Sequence, residues 1–416
     1  MGPLGPQAKS SKGGLQDLIQ QIQNTVIFPF RIAYLQFGGI FQECKSKIMI
    51  ESRTANVLCF LIGSVYVLGL YAIPARIRSL ARDNVEHIRY RLGITAFTNV
   101  LTLLILSFYY EQLTRGSLIK DSTFLNSIGI RLDNCFASVK VSVILMLLFY
   151  SGPLVTFLLV LVHHSSIIQN KLSLNRVNVD NNSRKNATEL SMSLIGHFLS
   201  LWYHSLKSQI KMAFLMPELT FRTLCFAPVS EELIFRACII LIMLCIHSNT
   251  STEQASISWN IALKCPLWFG IAHIHHAYTA WTERTKDYPM KMIPSNMKKI
   301  LFPIVIQTLF QLGYTTIFGF MAALLYMRTG NILAPIVSHV ICNFAQLPNL
   351  QFLYQSTSPL EDKLDDVDVY DILVDYTCLY RYRWFLLLLH FFGLLSFTFL
   401  LFPLTETLSQ NSKLWI

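Results

Sequence analysis

Long apolar windows constrain this chain more strongly than any other feature of its sequence. A helix needs about 20 apolar residues to cross the hydrocarbon core of a bilayer. The chain has 416 residues, of which 53% are hydrophobic and 14% are charged, whereas soluble domains carry roughly 25% charged residues. Membrane-spanning helices are predicted at Ala55–Ile73, Leu92–Tyr110, Val141–Val162, Leu301–Met327 and Phe385–Phe402.

Shorter apolar windows, several of them interrupted by polar residues, predict further helices. Such windows are typical of helices in a bundle interior, where neighbouring helices satisfy polar groups and breaks. They lie at Leu190–Tyr203, Phe221–Ile246, Ile261–His273 and Ile332–Phe344. The sequence therefore predicts an all-α fold, a polytopic membrane helix bundle with about eight transmembrane helices.

Changes in composition divide the chain into four predicted parts. Residues 1–53 are predicted to form an amino-terminal tail with a possible interfacial helix, and residues 54–203 the first group of spans. Residues 204–348 hold spans that carry polar residues. Residues 349–416 are predicted to contain an acidic loop, the last span and a carboxy-terminal tail.

Basic residues cluster in short loops, and this placement explains the net charge of +10 without a nucleic-acid partner. The loops 75–91 and 163–187 are both basic, and loops rich in Lys and Arg stay in the cytoplasm. Two spans separate these loops, so both are predicted to be cytoplasmic. The nine cysteines include no Cys-x-x-Cys pair, so neither a disulfide framework nor a thiolate metal site is predicted.

Three ionisable groups lie within the apolar stretch APVSEELIFRACII. Glu232 and Arg236 are four residues apart, so on a helix they share a face in the favourable order for an ion pair. Glu231 is rotated about 100° from Glu232 around the helix and can point elsewhere. A charge cluster that only fixes helix packing is one interpretation, and a functional site is the other, because intramembrane charges are costly.

Two further spans carry polar residues at helical spacing. His273 and His276 lie on nearly one face of a helix, and His275 faces away. His339 and Asn343 are four residues apart and share a face of the next polar span. Taken singly, each histidine can be a core residue with satisfied hydrogen bonds, and the His339–Asn343 pair can be a clamp between helices.

Together the three spans supply a carboxylate base, imidazoles and an amide donor, which can activate a water and stabilise an oxyanion. Neither a Gly-x-Ser-x-Gly elbow nor a His-Glu-x-x-His helix occurs. A zinc site that uses Glu231 with His273, His276 or His339 stays open as an alternative. Residues 204–348 are accordingly predicted as the catalytic transmembrane core, with no metal or cofactor assigned.

The three motifs together resemble those of a known family. Glu-Glu-x-x-x-Arg, then Phe-x-x-x-His, then His-x-x-x-Asn is similar to the CPBP, or Abi, family of intramembrane glutamate proteases. The segments APVSEELIFRACII, PLWFGIAHIHHAY and YMRTGNILAPIVSHVICN resemble its eukaryotic branch, the CAAX prenyl proteases of the Ras-converting type. The resemblance is specific over about Phe221–Pro348, a third of the chain, and elsewhere depends on hydropathy.

The resemblance implies an eight-span hydrolase of the endoplasmic reticulum membrane, with a membrane-embedded catalytic cavity accessible from the cytoplasm. It implies an endopeptidase that removes the carboxy-terminal tripeptide from prenylated CaaX proteins, such as Ras-like small GTPases. By the resemblance, Glu231 and His273 activate the water and His339 and Asn343 form the oxyanion site. Glu232 and Arg236 would support the site.

Lateral entry from the bilayer is the expected route for such a substrate. Extraction of a prenyl chain from lipid costs roughly 0.8 kcal/mol per methylene, and entry between spans avoids that cost. Two other functions remain alternatives from the sequence alone. One is a non-catalytic membrane scaffold or lipid-binding transporter of the same fold, and the other is a zinc-dependent membrane protease.

Overall fold

The computed structural model describes most of the apolar part of the chain. It covers residues 51–163 apart from 118, 120 and 121, residue 207, and residues 214–247, 254–285, 293–354, 376–412 and 414. The predicted amino-terminal helix, the basic loop 163–187 and the predicted span at 190–203 lie outside the described residues. The described residues contain α, π and 3₁₀ helices and no β-strand, so the predicted all-α class is confirmed.

Ten helices carry the fold within the described residues. The first four are α1 (Ser52–Gly69), α2 (Val85–Phe108), α3 (Cys135–Phe149) and α4 (Ser151–His163). Helix α5 covers residues 217–244, and α6 (Gln254–Ala272), α7 (His275–Thr285) and α8 (Ile293–Thr329) follow it. The last two are α9 (Leu333–Ala345) and α10 (Arg383–Leu404), and short helices occur at Ala75–Arg78, Tyr110–Thr114, Phe124–Ser127, Gln351–Leu353, Thr377–Tyr382 and Glu406–Ser409.

Four stretches are long and apolar enough to cross a membrane: Ser52–Gly69, Val85–Phe108, Met297–Thr329 and Thr377–Leu404. The pair α3 and α4 would make a fifth span, although α4 is bent 58° from α3. Sequence analysis predicted one uninterrupted span there, at Val141–Val162. The bend has a local cause, because Pro153 lacks an N–H and its ring clashes with the carbonyl of Phe149. Within the described residues the count is four or five, and the predicted total of about eight is not confirmed.

The chain divides into two compact units. The first contains Met1–Val139, Phe221–His339 and Thr405–Ile416, and the second contains Lys140–Thr220 and Val340–Leu404. In the first unit, α5 packs against α1, α2, α6 and α8. Residues 234–245 are all buried, as expected of a helix that is apolar on every side.

Two glycines allow α6 and α8 to approach closely in the first unit. A Cβ atom added at Gly270 would lie 2.8 Å from Oγ1 of Thr316, and one added at Gly319 would lie 3.1 Å from Cβ of Pro266. Small residues at helix contacts are typical of membrane proteins, where close van der Waals packing drives association. Gly270 lies three residues before His273, so this contact helps fix the position of that histidine.

The turn between α8 and α9 is held by a hydrogen-bonded group that we name the turn cluster: Arg131, Asn134, Thr329 and Asn331. Nδ2 of Asn331 donates to the carbonyl of Arg131 at 2.9 Å and to Oδ1 of Asn134 at 2.8 Å, while Oδ1 of Asn331 accepts from the N–H of Leu333 at 3.0 Å. Nδ2 of Asn134 donates to the carbonyl of Thr329 at 2.7 Å. These bonds fix the start of α9, which carries His339.

In the second unit, α10 packs closely against the bend between α3 and α4. A Cβ atom added at Gly152 would lie 2.5 Å from Cα of His390, and one added at Gly393 would lie 2.6 Å from the carbonyl oxygen of Phe149. A separate apolar core of this unit contains Val160, Phe352, Leu379 and Leu386.

Candidate active site

Helix α5 is interrupted by two widened π segments, at Arg222–Phe226 and Leu233–Cys238. Pro228 accounts for the first, because a proline cannot donate to the carbonyl four residues earlier and its ring would clash with it. The N–H of Ala227 instead donates to the carbonyl of Arg222, five residues back. Single π turns inside α-helices are frequent at functional sites, and here they flank Glu231 and Glu232.

Four side chains of the first unit form a group that we name the carboxylate cluster: Glu231, Glu232, Arg236 and His339. Nδ1 of His339 lies 2.7 Å from Oε1 of Glu232, and Nε of Arg236 lies 3.0 Å from Oε2 of Glu232. The side chains of Glu232 and Arg236 are completely buried. Because an ionised carboxylate only accepts hydrogen bonds, Nδ1 of His339 donates to Glu232.

The other nitrogen of His339 faces Glu231. Nε2 lies 3.9 Å from Oε2 of Glu231, whose side chain is 22% exposed. This separation is too long for a direct hydrogen bond, but a single water can lie within hydrogen-bond distance of both atoms. The two adjacent glutamates diverge around the helix, as predicted, yet both reach the same imidazole.

The guanidinium of Arg236 is buried without a complete set of hydrogen bonds. Among the described residues, none of its three nitrogens has a hydrogen-bond partner, and the contact with Glu232 meets the distance of an ion pair but not the hydrogen-bond angle. The guanidinium carbon lies 4.2 Å from the ring centroid of Phe269 and 5.6 Å from that of Phe318. Cation–π attraction therefore replaces part of the missing hydrogen bonding.

His273 is oriented by its own helix. Its Nδ1 lies 2.8 Å from the carbonyl oxygen of Phe269, so Nδ1 carries the proton and donates. Nε2 of the neutral ring then has a free lone pair and can accept a proton or a hydrogen bond. The rings of His273 and Phe269 are 4.5 Å apart, which packs the imidazole against the ring that also covers Arg236.

The neighbouring histidines are unsuited to proton transfer near neutral pH. His275 and His276 begin the polar helix α7, outside the candidate spans. Burial lowers the pKa of His275 to about 4 and that of His276 to about 3. Both rings are therefore neutral at pH 7. Among the described residues, no three His, Cys, Asp or Glu side chains are grouped as metal ligands.

Asn343 lies one helical turn after His339 on α9. The spacing places both residues on one face of that helix. Asn343 belongs to the second unit, whereas His339 and the rest of the carboxylate cluster belong to the first. Its part in an oxyanion site stays a prediction.

Sequence analysis missed a second polar contact of α5 beside the glutamates. Nδ2 of Asn99 donates to Oγ of Ser230 at 2.7 Å, and Oγ of Ser230 donates to the hydroxyl of Tyr66 at 3.2 Å. These bonds connect α1, α2 and α5 directly beside Glu231. The polar Asn99 within an apolar span was the available signal, because such residues usually face the bundle interior.

The model of the family described as Type II CAAX prenyl endopeptidase Rce1-like matches residues 213–345. The chain is similar to CAAX prenyl protease 2 of Arabidopsis thaliana, with 33% identity over 124 residues, which cover 30% of this chain and 33% of that protein. It is 30% identical to the Homo sapiens CAAX prenyl protease 2 over 123 residues, or 29% of this chain and 30% of the human protein.

A third relative matches over a longer stretch. The Saccharomyces cerevisiae CAAX prenyl protease 2 is 24% identical over 317 residues, which cover 72% of this chain and 82% of the yeast protein. The chain thus spans about a third of the length of the Arabidopsis and human proteins, and more of the yeast protein. No solved structure gives a significant match. Residues 213–345, which match the Rce1-like family model, hold all six predicted site residues.

Proposed function

We propose that this protein is an intramembrane endopeptidase that removes the carboxy-terminal tripeptide from prenylated CaaX proteins. The carboxylate cluster carries the proposal: His339 lies 2.7 Å from Glu232 and 3.9 Å from Glu231 in a nearly buried site. The family match over residues 213–345 supplies the substrate class.

Glu231 is the proposed general base. It is the more exposed of the two glutamates, so a water can reach it, and Glu232 is already engaged with His339 and Arg236. Glu231, aided by His273, would take a proton as the water oxygen attacks the carbonyl carbon of the prenylcysteine. The proton would then pass to the departing amine of the tripeptide as the peptide bond breaks.

His339 is proposed, with Asn343, to stabilise the oxyanion that this attack creates. The geometry adds a condition to that role. Nδ1 donates to Glu232, so Nε2 can donate to an oxyanion only when the ring carries both protons. Glu232 and Arg236 are proposed as positioning residues, because Glu232 holds the imidazole and Arg236 neutralises Glu232 inside the membrane.

The proposed location is the endoplasmic reticulum membrane, with the site open to the cytoplasm and to the bilayer. Five arginines of the segment 75–91 lie at the end of the bundle where α1 and α2 are joined, and a basic loop favours the cytoplasmic side. Ras-like small GTPases are the proposed kind of partner, because before cleavage their prenylated carboxy-termini consist of a prenylcysteine followed by a tripeptide. No cofactor is proposed.

The test compares Glu231→Gln with a matched control, Glu283→Gln, on the exposed side of α7. Each full-length variant is reconstituted in bilayers and assayed for release of the tripeptide from a farnesylated CaaX peptide. We expect Glu231→Gln to lose about 100- to 10,000-fold in kcat, because the amide cannot accept the proton, and Glu283→Gln to keep full activity.

Full activity in folded Glu231→Gln would overturn the role of Glu231. A wild-type protein that binds the farnesylated peptide without cleaving it would overturn the enzymatic proposal. Stoichiometric zinc in the purified protein, with activity lost to a chelator and restored by zinc, would contradict the metal-free mechanism.

A further inference from the structure

Three arginines of the first unit, Arg82, Arg91 and Arg222, form a group that we name the arginine cluster. Nη1 of Arg222 donates to the carbonyl of Arg82 at 3.3 Å, and both side chains lie within electrostatic range of Arg91. One acidic side chain balances them in part, because Nη2 of Arg222 lies 3.4 Å from Oδ1 of Asp83. Asp83 itself is largely exposed, so its effect on the buried part of the cluster is screened.

In the described part of the chain, the side chains of Arg82 and Arg91 form no hydrogen bond or ion pair. Arg82 is exposed, whereas Arg91 is half-buried on α2. The other nearby acid of α2, Glu86, is engaged with Arg76 at 3.0 Å. A half-buried guanidinium beside two other positive charges attracts an anion. Its planar N–H groups can donate two parallel hydrogen bonds to a carboxylate or a phosphate.

Two helices give the same separation between this cluster and the carboxylate cluster. On α2, Arg91 precedes Asn99 by two turns, or about 12 Å, and Asn99 bonds to Ser230 beside Glu231. On α5, Arg222 precedes Glu231 by about 13 Å of helix. Three extended residues span about 10 Å, so a tripeptide that begins at the level of Glu231 and runs parallel to these helices ends close to the level of Arg91 and Arg222.

Aromatic residues lie between the arginine cluster and the histidines that follow α6. Tyr71 lies within electrostatic range of Arg82 and Arg91, and its hydroxyl donates to the carbonyl of His275, two residues after His273. The rings of Tyr71 and Tyr278 are 6.1 Å apart, and Tyr278 is 60% exposed. Exposed aromatic surface between the arginines and the histidines is suited to apolar peptide side chains.

We propose that the arginine cluster, with Arg91 at its centre, binds the free carboxy-terminal carboxylate of the substrate and so sets the cleavage point three residues from the chain end. This inference rests on the proposed function, and it adds a substrate-recognition site distinct from the residues that activate the water. It also keeps the carboxylate at the polar end of the bundle, because a charge within the hydrocarbon is costly.

The test uses two farnesylated peptides that are identical except at the end: one has a free carboxylate and the other a carboxamide. Wild type, Arg91→Gln and Arg91→Lys are compared with Arg78→Gln, a control that removes one charge from the segment 75–91 at an exposed position. We expect wild type to cleave the peptide with the free carboxylate (the acid peptide) with a kcat/KM about 10- to 100-fold above that for the carboxamide peptide (the amide peptide).

Arg91→Gln should lower the kcat/KM for the acid peptide to that for the amide peptide. It should leave the kcat/KM for the amide peptide unchanged. Arg91→Lys should keep part of the preference for the acid peptide, and Arg78→Gln should keep all of it. Equal loss on both peptides in Arg91→Gln, or an unchanged preference, would overturn the inference, since a merely structural role cannot distinguish the two ends. Cleavage of neither peptide by wild type would instead count against the proposed function.

A lipid phosphate has similar chemistry to a carboxylate, and a second arm separates the two sources. The assay is repeated in phosphatidylcholine bilayers with and without an anionic phospholipid. An acid preference that persists in the neutral bilayer and disappears in Arg91→Gln supports carboxylate binding. The alternative result is that anionic lipid activates the wild type, that Arg91→Gln removes this activation, and that the acid preference stays intact. It would show that the cluster binds a lipid headgroup and would overturn the proposal.

Discussion

The turn cluster and the carboxylate cluster are both buried polar groups of the first unit, yet they differ in how completely they are hydrogen-bonded. In the turn cluster, the side-chain amides of Asn134 and Asn331 form hydrogen bonds of 2.7–3.0 Å through both their nitrogen and their oxygen atoms. In the carboxylate cluster, Oε2 of Glu232 and all three nitrogens of Arg236 lack hydrogen bonds among the described residues.

The difference separates a structural role from a functional one. Satisfied buried networks rigidify a fold, whereas an unsatisfied buried group is costly and needs another reason to persist. The turn cluster fixes the start of α9, six residues before His339. The carboxylate cluster retains polar atoms that a water or a substrate can engage. Mutations should therefore separate stability from activity at the two places.

Arg236→Leu should have the largest effect on stability. It leaves the buried carboxylate of Glu232 without its cation, and loss of one partner of a buried ion pair costs about 3–5 kcal/mol. We expect a lower unfolding temperature in bilayers and no peptide cleavage. Glu232→Leu/Arg236→Leu should recover much of the stability, because both charges are gone, and remain inactive because His339 loses its acceptor. A double variant as unstable as Arg236→Leu would contradict this interpretation.

Asn331→Ala should give a smaller loss, confined to stability. It removes three hydrogen bonds and leaves buried partners unsatisfied, at a cost of about 2–3 kcal/mol. Cleavage per folded molecule should stay close to wild type. The control Asn126→Ala changes an exposed asparagine and should shift stability by less than about 0.5 kcal/mol. Lost activity with an unchanged unfolding temperature would place Asn331 in the functional machinery instead.

Gly330→Ala should have the smallest effect of the three. Gly330 has a φ of 62° after α8, and a left-handed conformation costs an L-residue about 1–2 kcal/mol. The added methyl would also lie 2.9 Å from Oγ of Ser412. Gly313→Ala is the matched control, because nothing lies within 4 Å of its added Cβ in the middle of α8. That change should stabilise the protein by about 0.5–1 kcal/mol, and a loss of stability in both variants would contradict the assignment.

Hydropathy predicted the main spans, because the free energy of transfer of a segment from water into a bilayer depends on the residues of that segment alone. Thus Ala55–Ile73 was predicted where α1 covers Ser52–Gly69, and Leu92–Tyr110 where α2 covers Val85–Phe108. The bend between α3 and α4 was missed, because Pro153 changes hydrogen bonding without changing the mean hydropathy of the window.

Helical spacing predicted the pairing of Glu232 with Arg236, which the structure places 3.0 Å apart. It could not predict that His339 reaches both glutamates, since contacts between helices depend on how the helices pack. The roles of Phe269 and Phe318 around Arg236 were missed for the same reason. The turn cluster was also missed, because its asparagines look like ordinary loop residues in the sequence.

The widened segment at Leu233–Cys238 has a consequence for the evolution of this helix. A π turn is equivalent to one extra residue inserted into a regular α-helix. Deletion of one residue from the segment would restore regular winding, and the apolar residues beyond it would keep their partners. If the deleted residue lay between Glu232 and Arg236, the arginine would follow the glutamate by three residues and point about 100° away from its present direction. A chain one residue shorter would thus keep its apolar packing with a different orientation of the guanidinium.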